Sequence, residues 1–380
     1  MDVGLDSDIR LYLRPLAYSN YFNNSGKNET KFLGWNLPVE SLHMVHPYWR
    51  GFLAPPTYHH ALYFIIYLAL FSFSIFGNGL VIWIFGTSKS LRTPSNLFII
   101  NLAVFDLCMA ENSLVFLGNS IWGRMLGDDL GCNIYAFMGG IAGVGAAISN
   151  AMIAFDRYKT ISSPIDGRLN AFQVSMLIVV TWFWAIPFNL MAFLRIWGRY
   201  MPEGYLTTCS FDYLTEDDET KNFGLGIFIW AYLIPMIIIC TFYTKLFLHV
   251  RAHEKMLAEQ AKKMNVKSLS ANPTANSVEI RIAKAAFTIY FLFICAWTPY
   301  TMVFMISNFG NRNLITPFTS MLPAMAAKIV SCIDPWVYAV SHPKYRLQLE
   351  KRVPWLGITE KNIPQETESK STTSDVETAA

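Results

Sequence analysis

Charge is what this chain lacks. Only 15% of its 380 residues are Asp, Glu, Lys or Arg, while 53% are hydrophobic; an ordinary soluble domain carries about 25% charged residues. That scarcity excludes an ordinary soluble domain. The chain also shows no metal-binding Cys/His cluster, no phosphate-cradling glycine loop, no catalytic triad and no basic nucleic-acid patch. An enzyme is therefore not expected, nor a nucleic-acid partner. A cleavable leader is missing too: the first residues are polar and acidic, so the first apolar run is expected to act as its own insertion signal.

What the chain has instead is long apolar runs, at 62–86, 95–120, 131–158, 172–194, 223–250, 280–307 and 315–340. Each is long enough to span a bilayer core. Only helices close their own backbone hydrogen bonds in hydrocarbon, so the spacing predicts an all-α membrane protein, a bundle of seven transmembrane helices. Residues 1–60 form an N-terminal segment, 61–341 the bundle, 342–355 a short amphipathic helix and 356–380 a polar, Ser/Thr-rich tail without periodicity. Lys and Arg follow spans one, three, five and seven: Lys89 and Arg92, Arg157 and Lys159, the stretch Lys245–Lys284, and Lys344 to Arg352. The positive-inside rule makes those segments cytoplasmic and the N-terminus extracellular. Acidic residues Glu216 to Glu219 lie on the opposite side, as do two glycosylation sequons at Asn23 and Asn28. Four cysteines fall inside spans. Cys132 and Cys209 are the two outside, in the oxidising compartment, and a disulfide between them is expected.

One residue breaks the apolar pattern most sharply. Lys328 sits near the middle of the seventh run, roughly 18 Å along the axis from either membrane surface at ~1.5 Å per residue. Its stem cannot snorkel that far. An ammonium at the bilayer centre costs about 2.5–3.5 kcal/mol on insertion scales. Two readings of Lys328 alone stand level. It is ion-paired with a carboxylate in a polar helix interface, or it is a desolvated amine of the kind that condenses with an aldehyde to a Schiff base.

Other polar groups are set into the spans: Asp106 and Glu111 in the second, Asp156-Arg157-Tyr158 at the end of the third, Cys295-Ala296-Trp297-Thr298-Pro299-Tyr300 in the sixth and Asp334-Pro335-Trp336-Val337-Tyr338 in the seventh. Taken singly, each acid or proline reads as packing adjustment or a helix-to-helix hydrogen bond. Together they resemble a class A, rhodopsin-like G-protein-coupled receptor, and Lys328, ten residues before Tyr338, stands where opsins of that class carry their retinal-binding lysine. The blocks WGRYMPEGYLTTCSFDYLT, HEKMLAEQAKKMNVKSL, EIRIAKAA and SHPKYR narrow the resemblance to arthropod rhabdomeric visual opsins, nearest the insect short-wavelength, blue-sensitive branch. It covers nearly the whole chain and is weakest at the termini.

The resemblance implies a light-activated receptor that binds 11-cis retinal, or 3-hydroxyretinal, through a Schiff base to Lys328. Vertebrate visual opsins place the counterion three residues after the third-span cysteine; here that residue is Tyr135, neutral at pH 7. Glu203, six residues before Cys209, matches the invertebrate counterion position, with Tyr135 a hydrogen-bonding neighbour. The alternative for Glu203 is a turn residue beside Gly204. Gly139, Gly140, Gly143, Phe228, Tyr232, Phe293, Trp297 and Tyr300 would line the pocket, although tight helix packing would explain the three glycines equally well. Asn112 stands where the ultraviolet branch carries a lysine; a second ammonium would repel a proton on the linkage, so its absence implies visible, blue absorption. Glu111 beside it is a second tuning candidate. Asp106 and Asp334 resemble the family's sodium- or water-linked polar network, with Asp334 replacing the commoner asparagine.

On the cytoplasmic side, Asp156 and Arg157 resemble an ionic lock, Tyr158 completes that motif, and Tyr243 and Tyr338 resemble switch tyrosines. The resemblance implies a Gq-type G protein, arrestin and a receptor kinase as partners, the last two acting on a tail with Ser369, Ser371, Thr372, Thr373 and Ser374. It implies a multi-pass plasma-membrane location in rhabdomere microvilli. Charges at helical spacing across Lys245–Lys284 predict spans five and six extending beyond the membrane, where a basic helix would also meet anionic lipid. No cysteine follows the amphipathic helix, so palmitate anchoring is not expected. A retinal photoisomerase, a non-visual retinal-binding receptor and a retinal-driven pump are the rival readings. The intact Asp156-Arg157-Tyr158 argues against the first, and the absence of a carboxylate relay in span three against the last.

Overall fold

The computed structural model describes residues 31–164, 166–263 and 274–359. The sequons at Asn23 and Asn28 and the tail residues Ser369 to Ser374 lie outside them. Spanning helices follow in chain order: α1 (Thr57–Thr87), α2 (Asn96–Trp122), α3 (Asp128–Ser162) and α4 (Ala171–Phe193). A hairpin of β1 (Tyr200–Glu203) and β2 (Thr208–Phe211) comes next. The fifth span, α5, is one unit built from Asp218–Phe228, a π-helical turn Ile229–Leu233 and Ile234–Lys263. Then come α6 (Thr274–Phe309), α7 (Pro317–Ser341) and a short α8 (Pro343–Arg352).

Local chemistry places the helix ends. A capping box between Asn170 and Gln173 starts α4, and the Asp217 side chain accepts from the Thr220 amide at the start of α5. Gly123, at φ 60°, closes α2. Pro235, two residues beyond the π turn in α5, has no amide hydrogen to donate back into it. Trp184 of α4 fills part of that gap: its indole N–H donates to the Trp230 carbonyl at 3.3 Å, and the Trp230 indole returns a bond to the Trp184 carbonyl at 3.0 Å.

Six of the helices are long and apolar enough to cross a membrane on length and hydropathy. α7 falls short of that measure because Lys328, Ser331 and Asp334 dilute it, but it packs against α6, α1 and α2 as an integral member of the bundle. Phe172, Phe183, Ile65, Phe291 and Phe309 point outward with half or more of their surface exposed. So broad an apolar exterior fits hydrocarbon, not water. α3 is the central helix, contacting α2, α4, α5 and α6. As the charge spacing predicts, α5 and α6 run on well past the apolar belt, to Lys263 and from Thr274.

A structured cap closes one end of the bundle. The hairpin lies across the mouth, and Cys132 of α3 is disulfide-bonded to Cys209 of β2, Cα–Cα 5.5 Å. Over it sits the segment from Lys31 to Pro56, whose Leu33, Val45 and fully buried Trp49 pack with Leu206, Tyr213, Leu214 and Ile315. Asn119 of α2 donates to the Thr207 carbonyl at the hairpin turn, 2.9 Å. Arg199 and Asp212 pair at 2.8 Å beside β2. Burial would raise the Asp212 carboxyl, but hydrogen bonds from Thr215 and Arg199 outweigh it and hold it below the ordinary range.

The disulfide closes a 77-residue separation. Cys209→Ser is expected to lower stability by roughly 4 kcal/mol, read as a fall in the Tm of the detergent-solubilised protein. An unchanged Tm contradicts a tethering role for the bond.

Candidate functional site

Beneath the hairpin the helices form a cavity of about 190 Å³, lined mainly by apolar and aromatic side chains from α2, α3, α5, α6 and α7. Lys328 is in its lining, 5% exposed. Phe228 and Tyr232 of α5, with Phe293 of α6, line it too, and the Trp297 indole stacks on the Tyr300 ring at 5.8 Å. Gly139, Gly140 and Gly143 all face the cavity, and each is required by a neighbour: a Cβ there would meet Asn112, the Asn189 side-chain oxygen and the Trp297 ring at 2.5, 1.9 and 2.3 Å. Close approach therefore explains the glycines, and the room they leave belongs to the same cavity.

Lys328 has few polar companions. Its Nζ donates to the Tyr135 hydroxyl at 3.4 Å, and the rings of Tyr67 and Tyr135 stand 5.6 and 5.5 Å away. No carboxylate lies within ion-pair distance of it among the described residues. An ion-paired structural lysine, one of the two readings open from the sequence, is not what the geometry presents.

Glu203 is 2% exposed at the end of β1, set behind the cavity wall. Three hydroxyls converge on its carboxylate: Ser210 at 2.8 Å, Tyr213 at 3.1 Å and Tyr300 at 3.3 Å. The β register, Glu203 opposite Thr208 and Pro202 opposite Cys209, carries it to the disulfide and into the bundle. It is no surface turn residue. Burial pushes this carboxyl up to about 7, with the Ser210, Tyr213 and Tyr300 hydroxyls pulling the other way. Ser210 and Tyr213 escaped the sequence reading; both sit in the block around Cys209, but only the hairpin register reveals that they face Glu203.

Adjacent residues in α2 part company. Asn112 is buried, donates to the Tyr135 carbonyl at 3.0 Å and lines the cavity with its Oδ1 free of any partner. Glu111 points out of the bundle with Leu114 and Val115. One helix position turns about 100°, so the neighbour of a cavity residue faces lipid, and Glu111 has no contact with the cavity.

Polar residues continue toward the opposite end. Asp106 and Asp334 line one small recess with Asn78 and Pro335; Asp106 Oδ2 and Asp334 Oδ1 have no hydrogen-bond partner among the described residues. Asn78 donates to the Ser331 carbonyl at 2.9 Å, tying α1 to α7 there. Asp156 and Arg157 are buried with Nε–Oδ2 at 3.8 Å, and Ser95 donates to Asp156 at 2.8 Å. Tyr158 packs on Phe242, and Tyr243 is buried edge-on to Phe287. Tyr338 lies on α7, its side chain outside the described residues.

Comparison with known proteins decides the family. Residues 77–338 match the model described as 7 transmembrane receptor (rhodopsin family). The chain belongs to that family. It is 62% identical over 350 residues to Opsin Rh5 of Drosophila melanogaster, covering 92% of this chain and 91% of the relative. It is 56% identical over 343 residues to the blue-sensitive opsin of Apis mellifera, covering 90% and 91%. Among solved structures, squid rhodopsin superposes with a TM-score of 0.77 at 31% identity, covering 84% of this chain and 97% of that one. The chain is thus a multi-pass membrane receptor of the opsin group, not an enzyme, and its chromophore is a retinal.

The cavity fits that group. It is mainly apolar and aromatic, has a single lysine amine in its lining, and leaves Asn112 Oδ1 without a partner among the described residues.

Glu203 predicts a pH signature for the retinal-free protein. A carboxyl that sits near 7 when folded and at its ordinary 4.5 when unfolded holds its proton more tightly in the folded state. Its contribution to stability therefore grows as pH falls from about 7 toward 4.5 and is lost above 7. Thermal unfolding of parent and Glu203→Gln across that window is expected to show the slope in the parent and a flatter profile in the variant. Equal slopes contradict it.

Proposed function

We propose that this chain is a visual pigment that takes 11-cis retinal or its 3-hydroxy form on Lys328, absorbs blue light and activates a Gq-type G protein. The observation carrying the reading is the buried Lys328 amine in the wall of an aromatic cavity, with no contacting carboxylate among the described residues. Lys328 Nζ would hold retinal by condensing with its aldehyde with loss of water, and the ligand would supply a polyene that isomerises on absorbing a photon.

Everything else is work for this chain's residues. A proton kept on the Lys328 nitrogen makes a buried cation, which needs a negative group nearby. Glu203 serves as that group without a contact pair, its charge held by the three hydroxyls. Tyr135 positions the nitrogen, and the hairpin and cap exclude water, so the separated charges interact through a medium of low polarity. Asn112 adds no charge beside the nitrogen, which favours the protonated, visible-absorbing form, in line with the name of the blue-sensitive Apis relative. Trp297, packed on Gly143, bears a change of ligand shape onto α6. At the far end, the Asp156–Arg157 contact and Tyr243 form the element whose two arrangements such a shift biases.

Orientation follows from charge. The hairpin end is extracellular and the α8 end, rich in Lys and Arg, is cytoplasmic, the side for G protein, arrestin and kinase, in a rhabdomere membrane.

Two outcomes check the reading. Retinal reconstitution is expected to give a visible absorption band that changes on illumination and is absent in Lys328→Ala, with light-dependent nucleotide exchange on Gq; absorption confined to the ultraviolet contradicts the assignment. Asn112→Lys is expected to shift the band toward the ultraviolet by placing an ammonium beside the linkage. A band left in place would remove Asn112 from the tuning account.

A further inference from the structure

α8 is amphipathic and carries no cysteine. Beyond Arg352 the chain makes a short turn, Pro354–Leu356, reversed by Gly357 at φ 66°. Val353, Leu356 and Ile358 pack inward on the core. Trp355 does the opposite and is 72% exposed.

Its position makes that exposure informative. The indole stands 5.8 Å from the ring of Phe76 on α1, which in turn neighbours Trp336 of α7 at 6.2 Å. Counted to the helix ends at Thr87 and Ser341, those residues lie about 16 and 8 Å inside the bundle at ~1.5 Å per residue. Trp355 thus joins an outward aromatic surface with Phe73, Phe76 and Trp83, all lipid-facing on α1. An indole at that depth is surrounded by acyl chains, not water. At the rim above it, the Arg352 guanidinium lies 5.1 Å from the Trp83 ring and donates to the Thr87 hydroxyl, while Lys344 and Lys351 are exposed on α8. Arg346 donates to the Thr359 carbonyl and pins the returning chain back onto α8.

We infer that residues 353–359 form a protein-encoded membrane anchor, with Trp355 seated among the acyl chains of the leaflet on the α8 side and the Arg352, Lys344 and Lys351 cations at its anionic headgroups. The occupant is lipid because the surface is continuous with the hydrocarbon-facing wall of α1 and its rim is basic, matching an anionic leaflet. This goes beyond the visual reading and does not depend on it.

The test uses the full chain in nanodiscs of phosphatidylcholine and phosphatidylserine, with bromine placed on the acyl chains. Trp355 emission is isolated as the difference between the parent and Trp355→Phe, whose unchanged Tm shows the fold intact. That difference emission is expected at short wavelength and quenched at least about twofold by brominated lipid. In Trp355→Ser, amide exchange across residues 349–358 is expected to quicken about tenfold. Long-wavelength, unquenched emission would put Trp355 in water, and short-wavelength, unquenched emission would put it under another protein chain; either overturns the proposal. Unaltered exchange in Trp355→Ser overturns it as well.

Discussion

One amine buried in hydrocarbon without a contacting anion governs this structure. Lys328 would be a liability in any seven-helix bundle that did not use it, because nothing within ion-pair reach repays its desolvation. The architecture around it holds Glu203, the buried carboxylate that acts on it electrostatically, out of ion-pair contact. Glu203 is delivered by a hairpin, tied by Cys132–Cys209 and turned toward three hydroxyls rather than toward the amine. In the proposed pigment, that arrangement would leave the nitrogen open to covalent chemistry and supply a field for the resulting cation. A contact pair would have satisfied both charges and closed the site.

The cap explains why such a site survives beside water. Trp49 and its neighbours roof the hairpin, and the Tyr48 hydroxyl lies 2.6 and 2.7 Å from the Arg312 and Ile315 carbonyls on the α6–α7 connection. The lid is thereby tied to the α6–α7 connection as well as to the hairpin that the disulfide holds. Asp212 and Glu203 show what the lid does to charge. Both are buried acids near the hairpin, but Asp212 has Arg199 and sits below the ordinary range, whereas Glu203 has only hydroxyls and sits above it.

Much of this was legible in the residues, and the failures have physical reasons. Span lengths follow from hydropathy, and Lys328 announced itself because a charge cannot hide in a long apolar run. The same lysine, with Asp334, lowers the hydropathy of α7 enough to obscure the helix from a measure of apolarity alone. Short strands were not legible. β1 and β2 are four residues each, held by a disulfide and a cap rather than by alternation, so Ser210 and Tyr213 could not be assigned to Glu203 from spacing. Glu111 and Asn112 differ by one position, and only packing says which of the two faces inward. The π turn at Ile229–Leu233 was equally hidden, since it depends on Trp184 arriving from another helix.

The central claim is that Lys328 Nζ carries the chromophore. Reductive trapping with borohydride after retinal reconstitution, followed by digestion and mass spectrometry, measures this directly. The account predicts a retinyl label on the peptide containing Lys328 and on no other lysine. A label elsewhere, or none, would contradict it and leave a seven-helix receptor with an unexplained buried amine.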